Sequence, residues 1–463
     1  MTKLFTFASL LCLSFISCKK QNDWLDIRKD PNDKILEKLA DFQAILDNTL
    51  IFNSSYTSIG QLGCDNYYLN EQYYNLTAPT EKNAYIWKKD IFEDRLSTDY
   101  TVGYQEIGAA NIVLDGLKEL KITSNEQIEF DNVMGQALFH RSIMFFELAS
   151  IFCKPYRSQT ASVDLGLSLK LSSDIYEIEQ RASLDATYKQ IVDDLLVAAS
   201  LLPKIPKYKS RPSKLASYAL LARVYLNMGN YVKARDFSDS VLSNGAELLD
   251  FNDGVPSLLL EYRFPNFTTG NKEVIFYSEG IGYTGIIPDY NFGYGFVDTV
   301  LYKSYDVSDL RRKYFYEQVG LSQVKFRGTY SGSTLNFCGL GINEVCLTRA
   351  ECNARLNNIQ ASLSDLNLLL SKRYEKGRFV EYETDNSDTL LVKILAERRK
   401  ELPFTSQIRW QDLRRLNIDP RFATYITRIV EGEVFTLAPN DPKYVYPIPQ
   451  NEIDRTGIAQ NER

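Results

Sequence analysis

The sequence predicts a mainly α-helical protein, in which a spine of helical hairpins carries an irregular, loop-rich subdomain with a few short strands. Three observations predict it. Apolar residues recur at helical spacing over long stretches, and one pair of such stretches is joined at a glycine with small residues on both sides. Two further stretches, about 53–99 and 251–336, lose that rhythm altogether.

Along the chain, Ile35, Leu39, Phe42, Ile45 and Leu46 fall on one helical face. The stretch 53–99 is rich in turn residues and in Tyr67, Tyr68, Tyr73, Tyr74, Tyr85 and Trp87, without periodicity, and reads as loop with short helical pieces. Helices are predicted over about 101–120 and 126–152, the second with Met134, Ala137, Leu138, Met144, Phe145, Leu148 and Phe152 on a broad apolar face. Leu184, Tyr188, Ile191, Val192, Leu195, Leu196, Ala199 and Leu202 form the cleanest stripe, closed by Pro203. In 214–242, Leu221, Ala222, Tyr225, Gly229, Tyr231 and Ala234 stand where a tetratricopeptide repeat places its small, large and turn residues. One such hairpin cannot bury its own face, so the spine is expected over about 101–250 and 340–416. Glu273 to Ser278 is the strand most expected in 251–336.

The net charge of −6 argues against a broad nucleic-acid or anionic-membrane footprint. Thirty Tyr and 25 Phe stand out against a single His. Tyrosine offers a flat apolar face with a hydroxyl, which suits sugars or peptides in water, although a large aromatic core absorbs most of these residues. The first 17 residues read as a removed signal: Lys3 is followed by a mostly apolar run from Leu4 to Ile16, shorter than the roughly 20 residues of a membrane span. The run ends at Phe15-Ile16-Ser17-Cys18, which resembles a bacterial lipobox and marks Cys18 for lipidation, with 18–22 as a tether and 23–463 as the folded part. Cys64, Cys153, Cys338, Cys346 and Cys352 remain, an odd number without zinc-ligand spacing. Cys338 and Cys346 are open to bridging, and buried free thiols are the preferred expectation.

The C-terminal third carries Ala396-Glu397-Arg398-Arg399-Lys400-Glu401-Leu402 and then Arg409-Trp410-Gln411-Asp412-Leu413-Arg414-Arg415. Together with Tyr446-Pro447-Ile448-Pro449, Glu452-Ile453 and Gln460-Asn461 at the end, these resemble the signatures of the SusD/RagB family. Further matches lie at Tyr104, Ile107, Ala110 and Asn111, at Arg181, Ser183 and Tyr188, and at Leu347-Thr348-Arg349-Ala350-Glu351. Thr405 and Ser406 stand where the family often has an acidic residue and a glycine. By itself, the charged signature suggests a buried ion network rather than catalysis.

The resemblance implies a non-catalytic, lipid-anchored outer-membrane protein facing the cell exterior. It would hold an oligomeric nutrient and deliver it to a TonB-dependent transporter of the SusC type; no cofactor is expected and no metal-ligating residues are assigned. A glycan leads as ligand, with a peptide, as in RagB-like uptake, as the alternative. A tetratricopeptide scaffold is a weaker option, against which the lipid anchor and the long aromatic loops argue. So is a carboxylate-pair glycosidase, since no catalytic motif is present, nothing places two carboxylates together and the single His140 sits mid-helix. Candidate ligand residues are Asp65, Tyr67 and Tyr68 at an early ligand-loop position, Tyr100 where many members carry a ligand-facing Trp, and Tyr283, Tyr290 and Tyr294 in a Gly-rich loop.

Overall fold

The computed structural model describes residues 36–463 except 55, 246, 267–270 and 290. Cys18 and its surroundings, and Tyr290, lie outside the described residues. Among the longer helices are α1 (Thr98–Glu119), α2 (Gln127–Phe152), α3 (Leu184–Leu201), α4 (Lys214–Asn227) and α5 (Tyr231–Leu242). The second group is α6 (Ile342–Arg355), α7 (Ile359–Ser371), α8 (Ser387–Glu401) and α9 (Ile408–Leu416). Each of α1 to α7 packs on the next in sequence, giving the succession of a repeat spine that crosses the irregular stretch between α5 and α6.

Local chemistry sets the helix starts. The side chains of Ser97, Ser183, Ser213, Asn230 and Asn386 each accept a hydrogen bond from a backbone N–H in the first turn of α1, α3, α4, α5 and α8. The α4–α5 hairpin turns at Gly229, whose φ of 73° is a left-handed conformation that a side chain disfavours. Ala222 and Ala234 are buried on its two helices, as the repeat spacing predicts. The helical share, with only two- to five-residue strands, makes the fold mainly α.

The strands form five antiparallel two-stranded ladders among the described residues. They are β1 (Tyr67–Tyr68) with β5 (Phe296–Val297), β2 (Leu165–Ser168) with β3 (Arg181–Ser183), and β4 (Val274–Phe276) with β8 (Leu340–Gly341). The others are β6 (Tyr316–Gln318) with β7 (Val324–Phe326) and β9 (Ile426–Val430) with β10 (Glu433–Leu437). Cys64, Cys153, Cys338, Cys346 and Cys352 are all buried free thiols, so no bridge joins Cys338 to Cys346.

The charged signature is indeed interior. Glu401 accepts hydrogen bonds from Arg373 (2.8 Å), Arg311 (3.2 Å) and Asn343 (3.0 Å), with both guanidiniums fully buried. Arg398 donates to Asp412 at 2.9 Å, and Arg415 bridges Asp412 and Glu351. The partners Arg311, Arg373 and Glu351 come from outside the two signature segments. The closing motif is equally structural: Asn461 donates to the carbonyls of Phe152 (2.8 Å) and Tyr446 (2.7 Å), and Arg181 donates to its Oδ1 at 2.8 Å.

Candidate functional site: an aromatic ledge

The two irregular stretches meet where β1 pairs with β5, placing Tyr67 opposite Val297 and Tyr68 opposite Phe296. Because strand side chains alternate, Tyr67 goes into the core and Tyr68 stays half-buried at the surface. Asn70 then starts the short helix Glu71–Leu76 by accepting from the Tyr73 N–H at 2.8 Å, which brings the Tyr73 ring over the same strands. Tyr73 stacks on Tyr294 with ring centroids 5.2 Å apart and planes 10° from parallel. Phe296 lies beneath, 5.6 Å from Tyr68 and 5.7 Å from Tyr73. Phe292, two residues before Tyr294, and Leu76, three residues after Tyr73 on the same short helix, are exposed apolar side chains. Tyr68, Tyr73 and Tyr294 thus form a half-exposed aromatic ledge.

The ledge is pinned from below. Buried Glu81 accepts from the Thr284 hydroxyl (3.0 Å) and the Gly285 N–H (2.9 Å), and burial raises its pKa. Asp99 accepts from the Ser58 and Ile59 amides at 2.6 and 3.0 Å and from the Tyr283 hydroxyl. The Gly-rich loop needs glycine at 295, since a Cβ there would stand 2.0 Å from the Gly285 carbonyl oxygen. Arg428 lies 3.7 Å from the Tyr85 ring centroid and donates to the carbonyls of Leu62 and Cys64, which closes the floor.

The candidate ligand residues divide. Tyr68 and Tyr294 are on the ledge. Tyr67 is buried and donates to the Leu62 carbonyl at 3.1 Å, and Tyr283 is buried against Asp99. Tyr100 is buried in the first turn of α1, edge-on to Phe152 at 5.2 Å and beside Tyr104. None of these three presents a ring face to solvent. Asp65 is held by Arg409 through two hydrogen bonds of 2.6 and 2.7 Å and lies 3.1 Å from Arg399. Although burial opposes it, that pairing keeps its carboxyl well below the usual range. Tyr73, Phe296 and Lys325 join the site; the aromatic run of the sequence contains Tyr73, but nothing local marks the other two.

His140 is buried with Nδ1 3.2 Å from Glu106; burial lowers the imidazole and raises the carboxyl, favouring the uncharged form of each. Two surface clefts of about 350 and 340 Å³ lie elsewhere. In the first, Lys154 pairs with Asp164 (3.0 Å) and Arg157 donates to Asn440 (2.9 Å).

Comparison with known proteins agrees with this architecture. The family model described as "Starch-binding associating with outer membrane" matches residues 23–226, and that of the "SusD family" matches residues 312–462. The two together span well over half of the sequence, and the chain belongs to the SusD/RagB family. It is 25% identical over 392 residues to "SusD-like protein P2" of Formosa agariphila, covering 70% of this chain and 72% of that one. A SusD superfamily protein from Bacteroides thetaiotaomicron superposes with a TM-score of 0.75 at 21% identity, over 92% of this chain and 100% of the other. A protein from Bacteroides vulgatus described as a putative sugar binding protein does so with 0.74 at 20% identity, over 93% and 99%. These likenesses establish the fold.

Proposed function

We propose that this chain binds an oligosaccharide at the cell surface through the Tyr68, Tyr73 and Tyr294 ledge and delivers it to a TonB-dependent SusC-like transporter. The observation that carries it is the cluster of half-buried Tyr68, Tyr73 and Tyr294 rings at the junction of the two irregular stretches, organised by the Tyr73–Tyr294 stack, whose accessible parts offer aromatic surface of the kind that sugar rings cover. Family membership and the sugar-binding description of one structural neighbour support the ligand class. Among the described residues no helix is long and apolar enough to cross a membrane, and Cys18 is proposed to hold the protein at the outer membrane through lipid.

The test is binding of the purified protein to a panel of glycans, comparing wild type with Tyr73→Ala, Tyr294→Ala and the double variant. Each single change is expected to weaken binding by about 1–2 kcal/mol, roughly five- to thirtyfold. A double variant that melts as the wild type and binds glycan equally well would place the site elsewhere. Retention of peptides but not glycans on the wild type would replace the ligand class.

A further inference from the structure

Lys325 lies on β7 at the side of the ledge. Its ammonium sits 4.4 Å from the Phe296 ring centroid and 5.5 Å from that of Tyr73, and donates a hydrogen bond to the Gly293 carbonyl. Among the described residues it forms no ion pair with any carboxylate.

The neighbouring acids are engaged elsewhere. Glu317 faces Lys325 across the β6–β7 ladder, but accepts from Arg327 at 2.9 Å and lies 3.8 Å from Arg263. Asp289, at the start of the turn below, accepts from the amides of Asn291 and Phe292, both at 2.7 Å. Arg327, just past the end of β7, adds a second positive charge and donates to the Pro288 carbonyl. Among the described residues, the rings of Tyr73 and Phe296 also lie against the ammonium. Burial, with Arg327 beside it, lowers the lysine to about 8. An ammonium carries three donors, and one here is used.

We propose that the ledge is selective for an anionic glycan, one bearing carboxylate or sulfate ester groups, and that Lys325 is the residue that selects it. This rests on glycan binding at the ledge. A neutral donor could hold the Gly293 carbonyl without the cost of a half-buried charge. An ammonium held by aromatic rings and one carbonyl, with no carboxylate partner, is suited instead to an arriving anion, which supplies a counter-charge and accepts its remaining N–H groups. The rings take the sugar face while the ammonium reads the substituent.

The experiment measures affinities of the full chain by calorimetry for uronate oligosaccharides against their methyl-esterified forms, and for sulfated oligosaccharides against their desulfated forms. At pH 7, wild type is expected to prefer at least one anionic form by tenfold or more over its neutral counterpart. Lys325→Met should reduce that ratio at least fivefold, and Lys325→Arg should keep most of it. The ratio should also shrink as pH rises through about 8, where the lysine loses its proton, with bound anion shifting the midpoint upward. Equal affinity for anionic and neutral forms in the wild type, or an unchanged ratio in a folded Lys325→Met, would overturn the proposal. If glycans bind and the preference is absent, only the role of Lys325 fails. If the Tyr73/Tyr294 double variant binds as the wild type does, the ledge itself fails and this inference with it.

Discussion

Glu147 on α2 is fully buried, 3.6 Å from Arg223 and hydrogen-bonded by the hydroxyls of Thr57 (3.3 Å) and Ser406 (3.4 Å). Arg223 gives its two best hydrogen bonds to Glu344, at 2.6 and 2.7 Å, so Glu147 receives the weaker share of that guanidinium. Burial outweighs the pairing and raises the Glu147 carboxyl from 4.5 to about 7. The folded state then holds this proton more tightly than the unfolded chain does. The stability this group contributes is full below pH 4.5 and is lost as pH rises through 7. At about 1.4 kcal/mol per pKa unit, some 2–3 kcal/mol should disappear between pH 5 and 8.5. Glu147→Gln keeps the shape and removes the titration. Urea unfolding of both proteins at the two pH values checks this: the variant should gain on the wild type by about 2–3 kcal/mol at pH 8.5 relative to pH 5. Other buried acids with raised values, Asp99 and Asp194 among them, titrate in both proteins and cancel in the difference. Parallel pH profiles would show that Glu147 is ionised throughout, as a full partner of Arg223.

Two further outcomes are expected. Asp65→Asn breaks a mostly buried, doubly hydrogen-bonded pair with Arg409 and should cost about 3 kcal/mol in denaturant unfolding at pH 7, leaving glycan affinity of the folded fraction unchanged. Lost affinity with full stability would instead make Asp65 a ligand contact. Cys18→Ala should move the protein from the outer-membrane fraction to the soluble one, and a variant that still sediments with membranes would refute lipid anchoring there.

The spine was legible because a helix that packs on one side repeats its apolar residues at a fixed spacing, as from Leu184 to Leu202. Gly229 was legible because left-handed backbone selects a specific residue. The ion network was legible only by half. Glu397, Arg398, Glu401 and Arg415 announced buried charge, but Arg311, Arg373 and Glu351 meet members of this set across 28 to 90 residues of chain, a separation that leaves no local pattern. The ledge was the hardest part. Composition shows that tyrosines are abundant but not which ones the fold leaves at the surface. Tyr67 and Tyr68 are neighbours in sequence and take opposite sides of β1. Tyr100 carries the motif position yet turns onto Phe152.

The segments that identify the family and the segments proposed to meet the ligand obey different physical demands. Buried guanidinium–carboxylate contacts tolerate little change, since removing one partner strands a charge in the interior. The signature helices α8 and α9 are built of such contacts, and a ligand there would have to displace Arg398 from Asp412 or Arg415 from Glu351. The ledge has the opposite construction. Its rings make stacking contacts whose strength depends on area, while its position is fixed from beneath by Glu81, Asp99 and Arg428 acting on main-chain groups and on Tyr283. Side chains above those anchors can differ without disturbing them. Rings already held in place also lose little freedom when a ligand arrives, which reduces the ordering cost that weak, many-point recognition of an extended polymer must overcome. If the ledge is the ligand site, as proposed, ligand choice rests with the groups displayed on it, and the family signature specifies the platform that holds them.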